Sequence, residues 1–310
     1  MASLVKNLIG GVWVNAQSNK TFETINPATE EVVATVALGN KDDVDVAVAA
    51  AKEAYHKWRL TPAPRRGEIL FRVAEILKER KDELAELMTK EMGKIIAETA
   101  GDVQEAIDMA YYMGGEGRRL MGYTAPVEMP NKFGMALRDS VGVVGLITPW
   151  NFPVAVPSWK MLPALIAGNT VVWKPGEDVP ASAAMFAQVF ADAGLPDGVI
   201  NIVQGAGETG NALVEHPDVR IISFTGSKAV GLHIYEEAAK TREGQNWMKR
   251  VVAEMGGKDA IVVADDANLD DAASGAVAAA FGFQGQKCSA CSRLLVDKKV
   301  HDELMEKVVA

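Results

Sequence analysis

From Val141 onward, short β-rich runs alternate with helical segments, and this alternation limits the fold more than any other feature of the chain. Four strand–helix pairs follow one another. They are Val143–Thr148 then Pro157–Ala167, Thr170–Lys174 then Pro180–Ala193, Val199–Val203 then Glu208–Val214, and Arg220–Phe224 then Ser227–Lys240. Alternation at this density predicts right-handed βαβ units and an α/β fold, a parallel Rossmann-like sheet with helices on both faces. Ligands of such sheets bind beyond the carboxyl ends of the strands. Here those ends are Thr148–Asn151, Lys174–Glu177, Gly205–Gly210 and Gly226–Gly231.

The N-terminal part reads differently. Two short strands are expected around Leu8–Val14 and Glu31–Ala37, joined through the turn-forming Asn26-Pro27. Apolar residues from Val44 to Trp58 recur at helical spacing. Those from Ile69 to Met88 form the stripe of one long amphipathic helix, and a third helix runs from about Ala97 to Leu120. Tyr123 to Arg138 reads as a polar-tipped β-hairpin outside the sheet, and His301–Ala310 as a helix.

Composition removes several function classes. At 310 residues the chain has length for about two domains. With 32 basic against 41 acidic residues it carries a net charge of −9, without the basic stripe that a nucleic-acid binder needs. Two cysteines supply no disulfide framework. MASLVKNLIGGVW shows no export signal, so cytoplasmic residence is expected. Ser140 to Trp159 lacks charge over a membrane-span length of about 20 residues. Pro149, Pro153, Pro157 and Asn151 would break a lipid-exposed helix there, so a membrane role is rejected.

Several constellations can carry chemistry. Gly205-Ala-Gly207-Glu-Thr-Gly210 is a G-x-G-x-x-G between a strand and a helix, but the acidic residue that should follow about 20 positions later is missing. A bare glycine-rich turn explains it equally well. Phe224-Thr-Gly226-Ser227-Lys-Ala-Val-Gly231 also opens a helix and offers N–H groups to a phosphate. Trp173-Lys174-Pro175-Gly176-Glu177 places a cation and a carboxylate past a strand end, where a carboxylate suits a ribose diol. Cys288 and Cys291 form a lone C-x-x-C, and His56, His216, His233 and His301 are scattered, so no metal is expected. Gln284-Gly285-Gln286-Lys287 before Cys288 favours a thiolate. Glu254 ends an apolar strand, Arg250–Glu254, just before Gly256-Gly257, as a capping group or a general base. Glu254, Cys288 and Asn151 supply a base, a nucleophile and an amide donor, and spacing alone does not make them converge.

Taken together, these segments resemble the aldehyde dehydrogenase superfamily. Thr148-Pro149-Trp150-Asn151-Phe152-Pro153, Lys174-Pro175, Phe224-Thr225-Gly226-Ser227, Glu254-Met255-Gly256-Gly257-Lys258 and Gly285-Gln286-Lys287-Cys288 stand in that family's order and spacing, and the likeness spans essentially the whole chain. The resemblance implies an enzyme in which Cys288 attacks an aldehyde carbon and Glu254 activates the water that hydrolyses the thioester. The Asn151 amide and the Cys288 N–H would hold the oxyanion. Lys174, placed with these catalytic groups, would also bind the adenosine ribose with Glu177. The resemblance further implies a cofactor site lined by Ile147, Thr148, Pro149, Trp150, Gly207, Phe224, Gly226, Ser227, Gly231, Met255 and Gly256. Cys291 becomes a packing residue. The Glu177 charge would repel a 2′-phosphate, so NAD is the expected cofactor and NADP the alternative.

The run Phe281–Arg293, the Gly256–Ala260 segment and Gln245–Arg250 are similar to the glutamate-semialdehyde (1-pyrroline-5-carboxylate) branch. That likeness implies a small-molecule aldehyde substrate, with Ser289 on its α-carboxylate, Glu105 facing its α-amino group, and Phe152 in contact. Semialdehydes of other amino or dicarboxylic acids stay open. The expected organisation is a cofactor domain of residues 1–122 and 141–254, a hairpin at 123–140, and the first part of an α/β catalytic domain at 255–310. By the same likeness the remaining catalytic region is absent, and the full-length protein is a homo-oligomer. Two other readings are an NAD-binding fragment without turnover and a cysteine esterase or acyl-transferase.

Overall fold

The computed structural model describes residues 3–310. In chain order the first elements are β1 (Ser3–Val5), β2 (Asn7–Ile9), β3 (Val12–Val14), β4 (Thr21–Ile25), β5 (Val32–Ala37) and α1 (Lys41–Trp58). Next come α2 (Ala63–Glu79), α3 (Lys81–Met92), α4 (Ile96–Glu116), β6 (Tyr123–Ala125) and β7 (Gly134–Ala136). The alternating region holds β8 (Val143–Ile147), α5 (Ala155–Ile166), β9 (Thr170–Lys174), α6 (Pro180–Asp192), β10 (Ile200–Ile202), α7 (Gly207–Glu215), β11 (Val219–Thr225) and α8 (Lys228–Ala239). The chain closes with β12 (Arg250–Glu254), β13 (Asp259–Val263), α9 (Leu269–Phe281), β14 (Cys291–Val296) and α10 (His301–Val309).

Two compact units result. One comprises the chain up to Thr225 with Val230–Ala253, the other Gly226–Ala229 with Glu254–Ala310. In the first, seven strands form a sheet in the order β12-β11-β8-β9-β10-β2-β3. The pairs β11–β8, β8–β9 and β9–β10 are parallel, as the strand–helix alternation requires. The winding runs from β8 through β9 to β10 and then returns to the other side of β8 with β11. That reversal is a topological switch point, and the carboxyl end of β8 lies beside it.

The central strands are covered on both faces, and every residue of β8 and β9 is buried. Helices α1 and α7 pack together on one face, while α5 and α6 lie on strands of the sheet with α2 and α4 packed against them. Each fully buried aliphatic side chain, such as Leu146 or Val171, contributes about 1.5–3 kcal/mol of transfer free energy. Helix α1 begins where Asn40 and Asp43 form a capping box. A second sheet, β1-β5-β4, and the antiparallel hairpin β6–β7 lie apart from the main one.

Two expected elements are corrected. The strand Leu8–Val14 is a hairpin, because Gly10 and Gly11 adopt φ of 59° and 85° and turn the chain back on itself. The long helix through Ile69–Met88 is two helices, broken at Arg80, whose φ of −103° and ψ of 13° leave the helical basin. Its apolar stripe continues across the break, which is why periodicity alone conceals it. Strand β4 also lies before the Asn26-Pro27 turn, where the sequence predicts none.

In the second unit β13 and β14 pair in parallel, and Val263, Ala273 and Leu304 form a small core with α9 and α10. Asn268 caps α9 by accepting from the Asp270 and Asp271 N–H groups. Among the described residues no helix is long and apolar enough to cross a membrane. The uncharged stretch from Ser140 to Trp159 resolves into β8, an irregular loop and the start of α5.

Candidate active site

In the first unit the carboxyl ends of β8 and β9 meet. Trp173 Nε1 donates to Thr148 Oγ1 at 2.8 Å, and the Thr148 N–H donates to the Lys174 carbonyl at 3.2 Å. Gly176 permits the following loops to touch, since a Cβ there would stand 3.1 Å from the Trp150 nitrogen. Ile147 and Thr148 are buried, while Trp150, Asn151 and Phe152 are half-buried. The loop after Thr148 thus presents Asn151 from a fixed base.

Lys174 is nearly buried and its ammonium donates to Glu177 Oε2 at 2.8 Å. Burial by itself would raise the pKa of Glu177, but the hydrogen bond and charge of Lys174 bring it below the usual carboxylate range. Glu177 is therefore an ionised carboxylate, and its side chain is 51% exposed. Such a group accepts hydrogen bonds from a diol and repels a phosphate at the same place.

The G-x-G-x-x-G turn has a structural duty. Thr209 Oγ1 donates to the Gly39 carbonyl at 2.6 Å, and the Gly39 N–H donates to the Gln204 carbonyl at 2.9 Å. At Gly205, φ is 154° and a Cβ would strike Thr209 Oγ1 at 2.2 Å. Gly207 by contrast opens α7 with free space where a Cβ would stand, and a Cβ on Gly210 would make ordinary contact with Ile147 and the Lys174 stem, so close approach requires neither glycine. Phe224 is buried at the end of β11, where its carbonyl accepts from Lys160 Nζ at 3.1 Å. Gly231 is buried within α8, and Glu105 lies exposed on α4.

The second unit brings together Gly226, Glu254, Gly257 and Cys288. The Gly226 N–H donates to the Glu254 carbonyl at 3.1 Å, which fixes the start of the Gly226-Ser227 turn. A Cβ on Gly257 would lie 2.4 Å from the Cys288 carbonyl oxygen, so only glycine lets the Glu254–Lys258 segment run against the cysteine. Gly256 has open space at its Cβ position, and Met255 is half-buried. Cys288 and Ser289 are both exposed in a turn closed by the Ala290 N–H and the Lys287 carbonyl. Before this turn Phe283, Gln284 and Gly285 take φ of 48°, 52° and 71° in succession. Two non-glycine residues in the left-handed region store of order 1–3 kcal/mol each. Cys291 is half-buried at the start of β14, with its thiol against the Arg293 carbonyl.

Three residues that hold these loops are not evident from sequence. Lys94, buried in the α3–α4 link, and Asp102, buried in α4, form an ion pair at 3.3 Å and both reach the Asn151 loop. Glu91, at the end of α3, accepts from the Ala181 and Ser182 N–H groups at 2.8 Å and from the Ser182 hydroxyl at 2.5 Å. It caps α6, the helix that follows the Lys174–Glu177 loop. Their one sequence signal is Gly93, a helix-ending glycine (φ 75°) between two charged residues.

The description "aldehyde dehydrogenase family" fits residues 13–310 of this chain. Among curated relatives, 1-pyrroline-5-carboxylate dehydrogenase of Geobacillus thermodenitrificans is 45% identical over 97% of this chain and 59% of its own length. Malonate-semialdehyde dehydrogenase 2 of Geobacillus kaustophilus is 45% identical over 99% of this chain and 62% of its own. The chain thus spans about three fifths of the length of these relatives. Among solved structures, an Escherichia coli NADP-dependent enzyme superposes with a TM-score of 0.95 at 37% identity, over 99% of this chain and 63% of that one.

Proposed function

The chain belongs to the aldehyde dehydrogenase family, and from that premise we propose that it serves the NAD-dependent oxidation of an aldehyde to a carboxylic acid, with L-glutamate 5-semialdehyde as substrate. The observation that carries the reading is the Glu254–Gly257 segment lying against the Cys288 backbone within one compact unit. A carboxylate and an exposed thiol carried on two segments that run against each other suit a nucleophile and the base of its second half-reaction.

In this reading Cys288 Sγ attacks the aldehyde carbon and forms a C–S bond. The carbonyl electron pair moves to oxygen, where the Asn151 amide and the Cys288 N–H donate to it. A donor of this kind contributes about 2.7–4 kcal/mol in the transition state. Bound NAD supplies the acceptor for the hydride that leaves the carbon. The thioester that remains on Cys288 is hydrolysed when Glu254 takes a proton from water, whose oxygen replaces sulfur at the carbon.

The chain's own donor set fits a dinucleotide. Glu177, ionised and half exposed, and Lys174 beside it supply an acceptor and a donor for a ribose diol. In this reading Ile147, Thr148, Pro149, Trp150, Gly207, Phe224 and Gly231 of the first unit are further cofactor residues, as are Gly226, Ser227, Met255 and Gly256 of the second. Glu177 favours NAD over NADP, although a close structural neighbour is NADP-dependent. Ser289, Glu105 and Phe152 are the substrate contacts. The proposed organisation is a cofactor domain, the 123–140 hairpin and the start of a catalytic domain. The hairpin exposes Tyr123, Phe133, Met135 and Leu137, apolar groups suited to assembly with further copies.

The test is NADH formation from glutamate semialdehyde, with malonate semialdehyde as comparison. The expected result is turnover with the first that Cys288→Ala abolishes. Ester hydrolysis independent of nucleotide, or NAD binding without turnover of any aldehyde, would overturn it.

A further inference from the structure

Lys94 and Asp102 are almost wholly buried, in a part of the chain that the reaction does not use directly. Lys94 Nζ donates to Asp102 Oδ2 at 3.3 Å and to the Asn151 carbonyl at 3.0 Å, and it stands 3.5 Å above the centre of the Phe152 ring. Asp102 Oδ1 accepts from the Ala155 N–H at 2.7 Å. The pair therefore grips the second half of the loop between β8 and α5, at residues 151–152 in its middle and at 155 where α5 begins. A peptide carbonyl outside a sheet or helix ladder needs a partner when buried, and the Asn151 carbonyl finds it in the ammonium. Fixing that peptide plane fixes the Cα–Cβ direction, and so the region in which the Asn151 amide acts. Fold stability alone does not explain the pair, because well-packed apolar residues serve a core as well as a buried ion pair does.

We propose that Lys94 and Asp102 are positioning residues that hold the loop carrying Asn151, presetting its amide for the oxyanion. This rests on the reading of Asn151 as that donor. Removing one partner leaves a buried charge and risks unfolding, whereas neutralising both together does not. The test variant is accordingly Lys94→Met with Asp102→Asn, with folding checked by circular dichroism and Tm.

Two measurements then decide. Hydrogen exchange of the amides from Trp150 to Ala155 is expected to quicken by about tenfold or more, with the β8 and β9 amides unchanged. The kcat for aldehyde oxidation is expected to fall by between about tenfold and a hundredfold, since small misplacements of catalytic groups have effects of that size. The KM for NAD should not move. In an Asn151→Ala background the same pair of substitutions should no longer lower kcat. An equal fall in that background, or unchanged loop exchange, overturns the proposal. If the unsubstituted chain oxidises no aldehyde, the functional reading fails, and the exchange measurement still decides whether these residues hold the loop.

Discussion

Glu91 offers a stability test that needs no substrate. Its carboxyl is buried beneath the first turn of α6, and burial pushes its pKa from 4.5 up to about 7. The Asp178 charge pushes the same way, while the three donors from Ala181 and Ser182 only partly offset the burial. A carboxyl whose folded pKa exceeds its unfolded pKa gives stability that is complete below about 4.5 and is lost as pH rises through about 7. Between pH 5 and 8 the loss amounts to about 2–3 kcal/mol, because each pH unit separating the folded from the unfolded value is worth about 1.36 kcal/mol. Glu91→Gln removes the titration and retains an acceptor for α6. For a unit of this size, roughly 2–4 °C in Tm accompanies each kcal/mol. The Tm of Glu91→Gln minus that of the unsubstituted chain should therefore climb by about 5–10 °C from pH 5 to pH 8. Differential scanning fluorimetry at constant ionic strength reads this directly. A flat difference would show that the carboxyl titrates at its ordinary value, and a falling one would mean that its folded pKa is depressed instead.

Glu177→Gln removes the charge that opposes a 2′-phosphate, so the ratio of NADP to NAD affinity should rise by about tenfold or more; titration calorimetry with both nucleotides checks it, and an unchanged ratio refutes the role. Gly67→Ala places a methyl 2.4 Å from the Gly114 carbonyl, where α2 and α4 cross, and should cost about 1–3 kcal/mol in a urea melt. Gln284→Gly relieves a left-handed, exposed residue in the turn before Cys288. It should raise stability by about 1 kcal/mol, and a loss would show that the glutamine side chain holds that turn.

The alternating half of the chain is readable because its signals are local. Thr170–Lys174 and Arg250–Glu254 are strands over the very residues expected, as apolar runs bounded by turns. The N-terminal half is less so. Gly10-Gly11 reverses a strand that looks continuous, and Arg80 divides a helix whose apolar stripe never lapses. At the site, Lys174 and Glu177 are three residues apart and their pairing follows from spacing. Glu91 with Ser182, and Lys94 with the Asn151 carbonyl, join residues 91 and 57 positions apart. No periodicity encodes such pairs, because they depend on where α3 and α4 dock. The turn Phe283–Gly285 is equally hidden, since phenylalanine and glutamine carry no preference for left-handed backbone.

The strand β2 has a consequence for how the protein is made. It pairs antiparallel with β10, and the Asn7 side chain accepts from the Gln204 N–H, while the Gly10 N–H donates to Asn201. None of these partners exists until some 200 residues have left the ribosome, which takes about 10–40 s at ordinary elongation rates. Throughout that interval Leu8 and the neighbouring backbone must wait without the strand that covers them. The nascent chain thus carries a β2–β3 hairpin with one edge unpaired until β10 emerges, and slower elongation lengthens the exposure of that edge to misassembly.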